Sequence, residues 1–265
     1  MTTESDQDPL LLWDVLDLRL TAFHTVADSV SPQIESWWSE LVGQVPETHV
    51  ARPKEGIDEV TGTIAINETP ADFTLRSQPD RIDWTVQPKP APLAASAYLG
   101  PLPPALSAFS NLVNVWVNTL TLPLTRLALG ATLLIPVQSH QEGYTVLSQF
   151  VPFPLDPDSF DFLYRINRPV LSASLSNGTR INRLTAWSVL RSEYTRFVLA
   201  PGISKPEPAP SPLEPFFACR LQMDINTEPD PPIPLPPDKY ADVLAEFCEI
   251  ATSLAQHGDQ HESIA

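Results

Sequence analysis

Four arginines and two asparagines lie on either side of the dipeptide Asn177-Gly178: Arg165, Asn167, Arg168, Arg180, Asn182 and Arg183. Asn-Gly between two alternating segments is typical of a tight β-hairpin, so we expect these six side chains on paired strands. Guanidinium groups bind carboxylates through two parallel hydrogen bonds, and such a surface can therefore hold an anionic ligand or an acidic peptide. The alternative is cross-strand and sheet-to-loop pairing with the abundant acids of the chain itself.

Two adjacent tryptophans, Trp37 and Trp38, form the second candidate binding feature. They lie in a segment with helical spacing that follows Ser31-Pro32, an N-cap followed by a proline in the first turn. Neighbouring positions on a helix point in different directions, so we expect only one of the two rings to face the core. The other is predicted to lie at the rim or to contact a partner, because exposed tryptophan is a frequent interface anchor.

Signatures of common catalytic and metal sites are absent from the sequence. With nine glycines, the chain has no phosphate-binding loop, and it has no GxSxG nucleophile elbow or HExxH zinc motif. His257 and His261 are four residues apart, but Gly258 lies between them in a polar tail, which favours a solvated tail over a metal site. We therefore expect no catalytic residue, no metal and no cofactor.

The charge balance restricts the classes of partner. Sixteen Lys and Arg face thirty-two Asp and Glu, which gives a net charge of −16 at pH 7. Such a chain repels phosphate and anionic lipid, so nucleic-acid and membrane-surface binding are not expected. The N-terminal residues lack the basic region of a secretory signal, and this predicts a cytoplasmic protein. Thirty prolines cluster outside the periodic segments and predict stiff, proline-rich loops.

The most apolar stretch, residues 102–137, has Arg126 as its sole charge. Its first part has helical spacing from about residue 103 to 119, and Pro123 prevents the helix from continuing. Residues 124–137 are apolar throughout, which predicts a central strand covered on both faces. The interruptions at Asn114, Asn118 and Pro123 argue against a membrane span.

The order of predicted elements occurs twice, which suggests an internal duplication. A strand, a short helix, three strands, a proline-rich connector and a long helix follow one another in residues 11–120 and again in 124–256. Both long helices follow the sequence PLPP, at 101–104 and 234–237. We therefore predict an α+β protein with two similar β-α-β-β-β-α units, residues 1–120 and 121–265, within one globular body.

Each predicted unit buries one face of an antiparallel sheet under its long helix. The two units are expected to join through their first strands or to pack helix against helix. Joining through strands gives one curved antiparallel sheet covered by two long helices, a saddle similar to TATA-binding-protein-like or Bet v 1-like architectures. An analogy of fold does not transfer function.

The segments RINRPV, INRLTAWSV and CRLQMDINTEPD, with the closing helix, resemble a sporadically distributed bacterial family of uncharacterised proteins. The resemblance covers roughly residues 120–256, and WWSELVG and PDRIDW in the first half are compatible with it. It implies a bacterial, cytoplasmic protein and no catalytic residues.

These observations favour a non-catalytic accessory protein that binds a protein partner and that can form homo-oligomers. One alternative is a small-molecule-binding or enzymatic cavity between the sheet and the long helices, as in Bet v 1-like folds. A deep apolar pocket with convergent polar groups would favour this alternative, whereas a filled core would argue against it. Another alternative is a defence-associated protein or an acidic mimic of DNA.

Overall fold

A large antiparallel sheet with helices is the framework of the molecule, and the fold is therefore α+β, as predicted. The computed structural model describes residues 13–25, 33–89, 97–175, 178–192, 197–198, 207–208, 215–228 and 234–259. The helices in this part of the chain are α1 (Ile34–Val42), α2 (Leu102–Thr119), α3 (His140–Leu147) and α4 (Tyr240–His257).

Ten strands form the main sheet, and all of their pairings are antiparallel. Their bounds are β1 (Asp14–His24), β2 (Thr48–Arg52), β3 (Ile57–Ile66), β4 (Thr69–Gln78), β5 (Arg81–Pro88), β6 (Leu124–Val137), β7 (Leu163–Asn167), β8 (Val170–Leu171), β9 (Arg180–Ser192) and β12 (Phe216–Thr227). A separate two-stranded pair is formed by β10 (Phe197–Val198) and β11 (Glu207–Pro208).

The strand order across the sheet is β2-β3-β4-β5-β1-β6-β12-β9-β7, and β8 extends the pairing along β9. The central pair is therefore β1 with β6, which join the strands from the two halves of the chain. Leu20 lies opposite Leu129 in this pair. Behind the sheet, α2 and α4 pack against each other.

The described helices lie on one face of the sheet, and the core fills the space between them. Alternate residues of the central strands point to this face, including Leu18, Leu20, Leu129 and Leu133, and each is at most 1 % exposed. Aromatic rings dominate the core: Trp84 stacks on Phe73 at 5.2 Å and meets the edge of Trp116 at 5.8 Å. These large buried rings account for much of the apolar surface that stabilises the fold.

The boundary at Pro123 agrees with the prediction: α2 ends at Thr119 and β6 begins at Leu124. Tyr240 at the start of α4 fixes this junction, since its hydroxyl donates to the Leu122 carbonyl and accepts from the Leu124 amide.

Strand β2 has no strand pattern in the sequence. All five of its residues are exposed, so the alternation of apolar and polar residues that reveals a half-buried strand is lacking. Backbone pairing with β3 and the contact of His49 with Asp58 place this segment in the sheet. The predicted turn residue Asn177 lies outside the described residues, whereas Gly178 adopts a positive φ of 79°.

Candidate functional site

The face of the sheet opposite the helices, which we call the open face, carries a groove of about 630 Å³. Its lining residues come from five adjacent strands, β1, β6, β12, β9 and β7. The charged residues of the lining are Asp17, Arg19, Arg165, Arg220 and Asp224.

Strand register arranges the groove residues in rows that cross the sheet. Arg19 on β1 lies opposite Gly130 on β6, which in turn lies opposite Asp224 on β12. A Cβ atom on Gly130 would lie 3.5 Å from Nη2 of Arg19, so the arginine side chain extends over this glycine. Small residues such as Gly130 and Ala186 therefore leave the space that longer side chains surround.

The first half of the open face differs in character from the groove. The row that contains Arg19 continues through Thr85, Thr74 and Thr61 on strands β5, β4 and β3. The hydroxyls of Thr61 and Thr74 are 3.1 Å apart and hydrogen bond to each other. This row therefore carries charged side chains on β12 and β1 and neutral threonine hydroxyls on β5, β4 and β3.

Three arginines of the groove form no close ion pair in the described part of the chain. Within the described residues, Arg19, Arg165 and Arg220 form no ion pair at or below 4.0 Å, although acids outnumber bases twofold in the chain. Nε of Arg220 donates to the Ser188 hydroxyl at 3.1 Å. Elsewhere arginines do pair, as in the contact of Arg81 with Asp83 at 3.1 Å.

Asp17 is the half-buried acid at the β1 end of the groove. Burial raises the pKa of this carboxyl, while a hydrogen bond with Thr132 and the charge of Arg19 oppose the increase. Asp224 accepts a hydrogen bond from the Asn226 amide at 2.8 Å. The groove therefore presents guanidinium donors together with carboxylate acceptors.

The predicted arginine–asparagine set lies on β7 and β9 and, for Arg168, in the connection between β7 and β8, but its members divide between two roles. The asparagines form a chain of amides: Asn167 donates to Asn182 at 2.9 Å, and Asn182 donates to Asn226 at 3.0 Å. Arg183 donates to the Arg168 carbonyl, and Arg180 lies 4.0 Å from Glu228. Of the six predicted residues, only Arg165 lines the groove.

Arg168 forms an ion pair with Asp259, which lies two residues after the end of α4. Its Nε donates to Oδ1 of Asp259 at 2.5 Å, and its Nη2 donates to Oδ2 at 3.0 Å. The Tyr164 hydroxyl donates to Oδ2 of the same carboxylate. The hydrogen bond with Asp259 raises the pKa of Arg168, and burial raises that of Tyr164. We call these three residues the C-terminal latch.

The expectation that one tryptophan of α1 would face solvent or a partner is wrong. Trp37 is 8 % exposed and Trp38 is 1 % exposed. Trp37 meets the edge of Trp116 on α2 at 5.7 Å, whereas Trp38 lies over Phe73 of the sheet. Helix α1 thus packs Trp37 against α2 and Trp38 against the sheet.

Other reactive groups lie away from the groove. Burial raises the pKa of Cys219 to about 12 and that of Cys248 to about 11, so both thiols are protonated and poorly nucleophilic at neutral pH. Over the residues that the structure describes, no group of three or more His, Cys, Asp or Glu side chains could hold a metal ion. In the same part of the chain, no helix has both the length and the apolarity needed to cross a membrane.

Sequence reasoning missed Arg19, Asp17 and Arg220 as groove residues. Each is a charged residue at an outward position of an alternating strand, and that pattern was visible in the sequence. The pattern does not show that strands β1 and β12 lie on either side of β6, which is what brings the three residues together.

Comparison with family models, with curated proteins and with solved structures found no match to this chain.

Proposed function

We propose that this protein is a non-catalytic binding module that holds a segment of a partner protein on the open face of its sheet. The groove is the observation that carries the proposal: five strands line it, and three of its arginines lack a carboxylate partner among the described residues. Leaving such donors without a partner is costly only if they are buried, and Arg19 and Arg165 are exposed. They are thus available to a ligand.

The aromatic core on the helix side of the sheet supports the same proposal. Between the sheet and the helices lie the rings of Trp13, Trp84, Trp116 and Trp187, each 0 % exposed. Trp13, Trp187 and Phe150 contact one another with ring centroids 5.3–6.0 Å apart. These packed rings stabilise the fold from the helix side of the sheet. The open face is therefore the surface that we expect to bind a partner.

Photo-crosslinking tests the proposal. A photoreactive amino acid at Leu163, which is 61 % exposed and lines the groove, should give a discrete adduct with one partner in cells of the source organism. The same amino acid at Val115, 46 % exposed on α2, serves as the control. The purified partner should then bind the wild-type chain directly, and charge reversal at Arg165 should weaken this binding. Equal adducts at both positions, or none at Leu163, would contradict the proposal.

A small-molecule site is the second candidate, because the groove volume of about 630 Å³ lies within the usual range for ligand pockets. Its charged lining is more polar than that of most such sites, which is why we rank it second. Thermal-shift screening of carboxylate metabolites, with Arg165→Gln as the control, would separate the two candidates.

We also propose that the chain arose by duplication of a β-α-β-β-β-α unit, to which the first half adds the edge strand β2. The pairing of β1 with β6, the positions of β5 and β12 beside them, and the contact of α2 with α4 support this idea. If it is correct, the chain divided between Thr121 and Leu122 should reassemble from two coexpressed fragments. Fragments that fold separately and do not associate would contradict the joined arrangement.

A further inference from the structure

We infer that the occupant of the groove is an extended acidic segment, whose Asp or Glu side chains pair with Arg19, Arg165 and Arg220. This inference rests on the proposed function and specifies the chemistry of the partner. The three guanidinium groups line one groove without a carboxylate at or below 4.0 Å in the described part of the chain. In a chain of thirty-two acids, a ligand carboxylate is the natural partner for them.

The spacing of the arginines favours an extended chain over a single small anion. Arg19, Arg220 and Arg165 lie on β1, β12 and β7; β6 separates the first two of these strands, and β9 separates the last two. Adjacent strands are about 4.8 Å apart, and residues along a strand rise by about 3.3 Å. In the register, Arg220 lies four residues along the strands from the row of Arg19 and two residues from the row of Arg165. The Cα atoms of these two pairs are therefore roughly 16 Å and 12 Å apart. One carboxylate cannot contact all three. Side chains two and four positions apart in an extended segment are about 6.6 Å and 13 Å apart, and flexible arginine side chains can bridge the remaining difference.

The two aspartates of the groove distinguish among anionic ligands. Asp17 and Asp224 repel a densely charged ligand such as a polyphosphate, which carries negative charge at every unit. A peptide separates its carboxylates with neutral residues and supplies backbone amides, which can donate to these aspartates or to the Gln222 carbonyl. The groove is therefore better matched to a peptide than to a phosphate polymer.

Fluorescence anisotropy with defined probes tests the inference on the full chain. The acidic probe is a labelled Gly-Ser-Glu-Ser-Glu-Ser-Glu-Ser-Gly peptide, and its matched control carries Gln in place of Glu. Near 0.15 M salt the Debye length is about 8 Å, which limits repulsion from the net charge of the protein. We expect the acidic peptide to bind about tenfold or more tightly than the Gln peptide, since charged hydrogen bonds are lost in the control.

Substitutions identify the residues responsible. Arg165→Gln and Arg19→Gln should each weaken binding of the acidic peptide by about five- to tenfold, as expected for loss of one charged contact. Arg52→Gln is the matched control, because Arg52 is an exposed arginine on β2 that lies 3.8 Å from Glu55 and outside the groove. It should change the affinity less than about twofold.

A measurement on the wild-type chain keeps the test independent of how the variants fold. Side-chain Nε–Hε signals of Arg19 and Arg165 should shift on addition of the acidic peptide, and the signal of Arg52 should not. Equal affinity for the two peptides, or equal losses in Arg165→Gln and Arg52→Gln, would overturn the inference. So would binding of inorganic phosphate with the same arginine dependence when the acidic peptide does not bind. If crosslinking at Leu163 still captures a partner whose segment lacks acids, the proposed function stands and this inference fails.

Discussion

Two arginines three residues apart, Arg165 and Arg168, should respond in opposite ways to the same substitution. Arg168→Gln removes a member of the C-terminal latch, whereas Arg165→Gln removes a guanidinium that has no ion pair among the described residues. We expect Arg168→Gln to lower the free energy of unfolding and to leave binding of an acidic peptide largely intact. Arg165→Gln should do the reverse.

The geometry of the latch sets the size of the effect. The Asp259 side chain is 5 % exposed and that of Arg168 is 29 % exposed, so the pair lies between the buried and surface cases. Breaking a buried pair costs about 3–5 kcal/mol, and exposed pairs contribute about 0.2–1 kcal/mol. We therefore expect a loss of about 2 kcal/mol, roughly thirtyfold in the folding equilibrium constant. Arg165→Gln should change stability by less than about 0.5 kcal/mol, because its side chain is exposed.

Urea unfolding followed by tryptophan fluorescence measures both variants, since buried rings such as Trp13 and Trp187 report on the core. A double-mutant cycle of Arg168→Gln with Asp259→Asn should give a coupling energy of about 1–2 kcal/mol, as for residues in direct contact. A coupling near zero would refute the assignment of the latch. Equal destabilisation by Arg165→Gln and Arg168→Gln would refute the division of the arginine–asparagine set into structural and accessible members.

Two further predictions concern the edge strand β2 and the end of α4. Hydrogen bonding to Asp58 raises the pKa of His49, so its contribution to stability is present at low pH and is lost as pH rises above the usual histidine value. The difference in unfolding free energy between wild type and His49→Gln should shrink between about pH 6 and pH 8, by under about 1 kcal/mol because the side chain is largely exposed. Gly258 has a φ of 67°, and a Cβ there would overlap the Phe150 backbone. Gly258→Ala should therefore lower the free energy of unfolding by about 2–4 kcal/mol. Gly178→Ala, with φ 79° and free space around the Cβ position, should cost only about 1 kcal/mol and is the control.

Local sequence patterns predicted most of the elements, because each pattern reports on burial along its own segment. Pro123 and the change from helical spacing to a continuous apolar run placed the boundary between α2 and β6. The exposed strand β2 gave no such signal, because its place in the sheet depends on backbone pairing with β3.

The two tryptophans show why packing is harder to predict than secondary structure. Helical geometry alone allows one buried face, but α1 lies against both the sheet and α2. A Cβ on Gly62 would lie 2.7 Å from Cζ2 of Trp38, so the missing side chain of this glycine provides room for the ring. Trp37 is covered by Trp116 of α2. Neither neighbour can be inferred from the sequence around α1.

The groove could not be predicted from the sequence because its strands are adjacent in the sheet but distant along the chain. Arg19 belongs to the first described strand and Arg220 to the last strand of the sheet, yet β6 alone separates their strands. Arg165 could be predicted because the strands on either side of Gly178 are close in sequence. The same reasoning also predicted Arg168, whose guanidinium instead binds Asp259 in the C-terminal latch. Local pairing therefore found one arginine of the groove and could not supply the other two.

The separation of the two sheet faces determines what substitutions in the groove can reveal. Residues of the helix-side face, such as Leu20 and Leu133, are fully buried, and their loss would damage the core. Arg19 alternates with buried residues along β1, and Arg165 lies between the partly buried Tyr164 and Ile166 on β7. Both arginines are exposed, so replacing them removes charge without creating a cavity in the core. Loss of binding in these variants, with stability unchanged, would then report on recognition by the open face and not on unfolding.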